Sequence, residues 1–136
     1  MRTHVEFVSK AFPADPGESE AINPGRFGKQ LAEFLRSQLP LHGFVVAALR
    51  PEDWGWQVEL EHKEFPLWVG CGNYEELENG FLCFIEPSKP EIRKLFAKIN
   101  TTATVERLAD ALDSILQKSG KVTQLRWWAA GETKRG

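Results

Sequence analysis

Only two cysteines, Cys71 and Cys83, occur in the 136 residues, too few to frame a disulfide-stapled scaffold. No apolar run approaches the length of a membrane-spanning helix, and the opening MRTHVEFVSKAF lacks the apolar centre of a secretion signal. A cytoplasmic protein with no membrane partner is therefore expected. A surplus of cations is missing as well. The formal net charge is −2, which argues weakly against a general nucleic-acid or membrane-surface binder. None of the patterns GxGxxG, GKS/T, HExxH or GxSxG is present, so phosphate-loop, zincin and serine-hydrolase chemistry have no signature here. Repeats, low-complexity tracts and linkers are absent too. What the chain has in excess is indole and phenyl: five Trp and nine Phe beside a single Tyr.

Length and balance suit one globular domain. Hydrophobic residues make up 42% and charged residues 26%, which separates the chain from disordered sequences. The expected domain covers 1–128, with 129–136 a flexible tail. VEFVSKAF (5–12) reads as a first strand, and PADPGESEA after it as an acidic loop. Asn23 and Pro24 stand where an N-cap and first helical residue belong, and Phe27, Leu31, Phe34, Leu35 and Leu39 follow at helical spacing until Pro40 and Gly43. GFVVAALR (43–50) reads as a buried strand. PEDWG is its reversing turn, and WQVELEH, FPLWVGCG and GFLCFIEP complete a four-stranded antiparallel meander. Two helices are expected next: one from Pro90 with Ile92, Leu95, Phe96 and Ile99 on a stripe, and one from Thr104 to Lys118. KVTQLRWW is a last strand. The order β-α-β-β-β-β-α-α-β predicts an α+β fold, a two-layer sandwich with a mostly antiparallel sheet of about six strands and helices on one face.

The meander predicts its own register. A two-residue turn at Lys63-Glu64 sets Leu60 against Leu67, Val58 against Val69 and Trp56 against Cys71, almost wholly apolar. Setting Cys71 opposite Cys83 then places Val69 against Ile85, so both hairpins bury the same side. The opposite face carries Gln57, Glu59, Glu61, Trp68, Gly70, Gly72, Leu82, Phe84 and Glu86. Glycine inside a strand often marks close approach of another group. A shallow furrow floored by Gly70 and Gly72, walled by Trp68 and Phe84 and rimmed by glutamates is one reading. Another is that Phe84 or Trp68 folds over the glycines, or that the loop 13–21 or Trp127-Trp128 covers the face.

Candidate chemistry is sparse. Glu52 and Asp53 are adjacent turn residues, a poor arrangement for general acid-base work without burial to shift a pKa; Asp53 is expected to hydrogen-bond its own turn. Trp56 should be core and Trp54 the exposed indole. Cys71 and Cys83 have no evident base beside them, and His4, His42 and His62 show no metal-ligand spacing to them. No catalytic residue, metal or cofactor is therefore assigned. Lys89, Arg93, Lys94 and Lys98, with Arg126, Trp127, Lys134 and Arg135, read as a solvated helix face and its neighbourhood rather than a nucleic-acid site.

The segments NPGRFGKQLAEFL, EDWGW, PLWVGCGNYEE, GFLCFIEPSKP and TTATVERLADAL together resemble a family of small uncharacterised bacterial proteins across nearly the whole chain. The resemblance implies a bacterial cytosolic origin and, having no established activity, supplies no residue roles. Size, acidity and architecture are also generally similar to bacterial immunity or adaptor modules, at the level of fold alone.

Two functions remain in competition. The first is a non-enzymatic binding or adaptor protein in which Trp54, Trp68 and Phe84 give apolar contact while Glu52, Asp53, Glu59, Glu61 and Glu86 select a basic protein partner. The second is a sugar- or nucleotide-binding protein, or a hydrolase, with a Trp stacking in a carboxylate-bearing pocket. Exposed aromatics also fit a homodimer interface.

Overall fold

In the computed structural model residues 1–132 are described; Lys134 and Arg135, with the rest of 133–136, lie outside the described residues, as does that end of the expected tail. The elements are β1 (His4–Val8), α1 (Glu18–Ala21), α2 (Lys29–Gln38), a 3-10 turn (Leu39–His42), β2 (Val46–Glu52), β3 (Gly55–Leu60), β4 (Leu67–Asn73), β5 (Gly80–Glu86), β6 (Glu91–Lys94), β7 (Ala97–Asn100), α3 (Thr102–Lys118) and β8 (Thr123–Trp128). Six strands form one sheet in the order β2-β3-β4-β5-β1-β8, every neighbour antiparallel. The α+β class and the six-stranded antiparallel sheet are as the sequence predicts.

The registers are those the hydrophobic pattern demands. Leu60 pairs with Leu67, Val58 with Val69 and Trp56 with Cys71; Val69 pairs with Ile85 and Cys71 with Cys83. Strand β1 extends the same face, with Val5 opposite Cys83 and Phe7 opposite Phe81. Leu31 and Leu35 of α2 and Leu108, Leu112 and Leu116 of α3 belong to the same buried cluster as Val58, Val69 and Ile85, all fully buried. A one-residue slip of any of these strands would turn that apolar row toward water.

Cys71 and Cys83 are free and buried within this cluster. Burial above all, then a hydrogen bond and charge interaction with Cys83, pushes the Cys71 thiol well above its ordinary pKa. An unfolded thiol loses its proton near pH ~8.5, where the native one keeps it. Stability is therefore unaffected by this group at lower pH and falls as pH rises above about 8.5, by up to about 1.4 kcal/mol per pH unit. Urea midpoints of the wild type should decline through that window, and those of Cys71→Ala should decline less.

Several elements differ from expectation. Strand β2 is not buried: it forms the sheet edge with one neighbour, half-exposed along its length, and Val45 before it is 55% exposed. Its span is shifted from 43–50 to 46–52, running through Pro51, where an edge strand tolerates the missing N–H. Helix α2 begins at Lys29 rather than after Asn23, because Gly25 takes a left-handed φ of 77° and the Asn23 amide donates instead to the Asp53 carbonyl at 2.8 Å. Its N-terminus is held from a distance: the Glu18 carboxylate accepts from the N–H groups of Gly28 and Lys29 at 2.8 and 2.7 Å and from the Trp56 indole at 2.8 Å. Helix α3 starts two residues before the expected Thr104. The strands β3 and β4 stop at Leu60 and Leu67, so His62 and Phe65 meet as rings 4.2 Å apart in a longer loop rather than across a two-residue turn.

The largest correction is at 90–100. The expected helix is a two-stranded ribbon, with Ile92 opposite Ile99 and Lys94 opposite Ala97. The spacing 92, 95, 96, 99 is helical, but it is also symmetric about the 95–96 bond. A two-residue turn there brings Ile92 and Ile99 together just as well, and both pack against the core while Leu95 and Phe96 stay outside.

Candidate functional site

The sheet face turned away from α2 and α3 carries alternate residues of each strand, and their rings form a line. From β8 across β1 to β5, Trp128 stacks on His4 at 5.6 Å and His4 on Phe84 at 5.9 Å. Phe84 then meets Trp54 at 5.0 Å and Trp68 at 5.6 Å, and the two indoles stack at 5.9 Å. The β1/β8 end of this face is closed. Trp128 is buried there, and the fully buried Glu6 accepts from the Arg126 guanidinium at 3.2 Å. The alternative that Trp127-Trp128 covers the outer face of the meander is met only at the far edge of the sheet: Trp128 stacks on His4, and Trp127 points the other way, its indole donating to Asp113 of α3 at 2.9 Å. Trp54, Trp68 and Phe84 are half-buried, each keeping part of its ring accessible.

The glycine-floored furrow is filled. A Cβ on Gly70 would lie 2.3 Å from the Phe84 ring, and one on Gly72 would lie 2.8 Å from the Trp54 carbonyl oxygen. The glycines exist so that a ring and a turn can lie flat on β4. The three aromatic residues become a ridge, with a trough on either side. One trough, of about 600 Å³, is open to solvent and lined by Gln57, Glu59, Glu61 and Trp68 with the β3–β4 loop and Lys94. The other, of about 240 Å³, lies between Trp54, Leu82 and Phe84 and the loop residues Glu75 and Glu76, with Arg26 across it. Gly70→Ala should push Phe84 off the strand and break the ridge. A changed near-UV aromatic spectrum with a stability loss of about 1–2 kcal/mol is expected, measured by circular dichroism and urea unfolding.

The acids are placed unevenly. Glu59 is tied to Arg50 at 2.7 Å and the Glu86 carboxylate to the Ser88 N–H at 3.3 Å, while Glu61 is exposed. Glu52 and Asp53 lie beside Ala21 and Ile22 at the β2–β3 turn. The Asp53 carbonyl is engaged by Asn23, but the expected bond from its carboxylate to its own turn is not present among the described residues. Trp56 is half-buried against the core, its indole held by Glu18. Glu75 and Glu76 were not singled out by sequence, though antiparallel order puts their loop at the same end as the Glu52-Asp53 turn. Among the described residues no group of three or more His, Cys, Asp or Glu could hold a metal ion, and no helix is long and apolar enough to cross a membrane. Comparison with protein-family models, with curated proteins and with solved structures finds no match in any of the three.

Proposed function

We propose that the chain is a non-enzymatic binding protein whose Trp54–Phe84–Trp68 ridge docks an apolar segment of a basic protein partner. The observation that carries this reading is the position of the ridge. Three large rings sit half-buried but accessible on the one sheet face that the helices do not cover, while the apolar core lies on the other. A few aromatic anchors of this kind, once desolvated by a partner, dominate the energy of many protein interfaces. Glu52, Asp53, Glu61, Glu75 and Glu76 around the ridge would repel acidic partners and steer basic ones. Glu59, paired with Arg50, would shape the surface more than charge it, whereas Glu76 and Glu86, held by the Tyr74 hydroxyl and the Ser88 N–H, keep their charge.

Selection from a random-peptide display library on the folded protein tests this. Enriched peptides should be basic and carry apolar anchors. Acidic peptides, or equal enrichment on a Trp54→Ala/Trp68→Ala protein, would count against it. The 600 Å³ trough beside Trp68 favours a second reading, a sugar or nucleotide stacked on that indole with Gln57 and Glu59 hydrogen-bonding to it. A thermal-shift panel of sugars and nucleotides separates the two.

A further inference from the structure

The β6–β7 ribbon pairs only with itself and not with the main sheet. Its tip is apolar and bare: Leu95 is 89% and Phe96 104% exposed. Directly behind the tip come Arg93, Lys94 and Lys98, all exposed, against one acid, Glu91, at the base. Arg93 and Lys98 are paired across the ribbon. Like charges directly opposite destabilise a strand pair, so this arrangement costs the free protein stability that an anionic partner would restore. Leu95 also holds a left-handed φ of 57°, a conformation that suits Asn or Gly far better than a leucine. Neither residue gains packing within the chain in return.

We propose that this ribbon docks the protein on an anionic lipid surface, with Leu95 and Phe96 entering the acyl boundary and Arg93, Lys94 and Lys98 binding headgroup phosphates and carboxylates. The layering favours a bilayer over a protein groove. Arg93 and Lys98 occupy the outer face of the ribbon, while Lys94 shares the other face with Ile92 and Ile99 and donates to the Glu64 carbonyl at 3.3 Å, so what the three cations have in common is their depth behind the tip. A groove reads a side; a membrane reads depth. One residue of strand advances about 3.3 Å, placing the cations about 3–7 Å behind the tip, which matches a headgroup layer about 5–7 Å thick. The acidic turn Glu52-Asp53 and the loop with Glu75 and Glu76 lie at the opposite end of the sheet, since β2–β3 and β4–β5 both turn there while the ribbon follows the far end of β5. Within the net charge of −2 the ribbon is itself basic, although the β3–β4 loop beside it carries Glu61 and Glu64, the Glu64 carbonyl accepting from the Lys94 ammonium at 3.3 Å.

Flotation of the full chain with phosphatidylcholine vesicles, with and without phosphatidylserine, tests the proposal. Binding should require phosphatidylserine and weaken with added salt. Leu95→Asn/Phe96→Ser keeps a residue suited to the turn, so it should melt no lower than the wild type yet fail to float. Arg93→Ser/Lys98→Ser should lower partitioning about thirtyfold, at roughly fivefold per cation. Equal flotation with and without phosphatidylserine, or unchanged flotation of either variant, would overturn the proposal. So would failure of the wild type to float, including the case where it instead self-associates through Leu95 and Phe96.

Discussion

Glu18→Ala should lose about 4 kcal/mol of unfolding free energy, an estimate built from roughly 1–3 kcal/mol for each buried donor left without a partner. The carboxylate is buried and accepts from four donors: the N–H groups of Asp15, Gly28 and Lys29 and the indole of Trp56. Two of these open α2, where a negative charge also meets the positive end of the helix. The third fixes Trp56, whose ring also lies under the Lys29 ammonium at 5.5 Å. One side chain therefore joins the acidic loop, the helix start and strand β3. Small domains hold only about 5–15 kcal/mol in total, so the variant should be close to its folding limit. Urea unfolding followed by tryptophan fluorescence would measure this, with an unchanged denaturant slope and a lowered midpoint. Glu18→Gln should fall between, since its amide offers one acceptor and two unwanted donors. A loss under about 1 kcal/mol in Glu18→Ala would show that water replaces the carboxylate.

Trp54→Ala/Trp68→Ala should have the opposite profile. Binding of a selected basic peptide should weaken about a hundredfold or more, because central aromatic anchors at interfaces each contribute about 2 kcal/mol or more. Stability should fall by only about 1–2 kcal/mol, since both rings are half-buried on the outer face and lie outside the core. Isothermal titration and urea unfolding of the same preparation would measure both quantities. Equal losses in the two would mean that the ridge is packing for the fold and not a docking surface.

How far the sequence carried these conclusions depends on the range of the interaction. The β3–β4 and β4–β5 registers were readable because period-two alternation leaves one pairing that buries Val58, Val69 and Ile85 together. The same alternation puts Trp68 and Phe84 on the outer face but leaves Trp54 only an exposed indole of the turn; its stacking on Trp68 at 5.9 Å depends on the turn lying over Gly72. It left open a furrow over the glycines or a ring, Phe84 or Trp68, folded onto them, because a missing Cβ signals close approach without naming what approaches; the Phe84 ring is what lies over Gly70. The start of α2 was misplaced because local capping rules look a few residues away, whereas Glu18 lies 10 and 11 residues before the amides it holds. The ribbon at 91–100 was read as a helix because four apolar residues fit both periodicities, and only their burial separates the two: Ile92 and Ile99 pack inward while Leu95 and Phe96 do not. With the helix went the charge pattern, which as a helix face looks merely solvated and in the ribbon stands directly behind two bare apolar residues.

The most direct test of the ridge as the binding surface is a titration of 15N-labelled protein with a selected basic peptide, following the five tryptophan indole signals. Trp54 and Trp68 should shift progressively while Trp56 and Trp127, held by Glu18 and Asp113 on the helix side, stay in place. Movement of Trp56 and Trp127 with Trp54 and Trp68 unchanged would contradict the proposed surface.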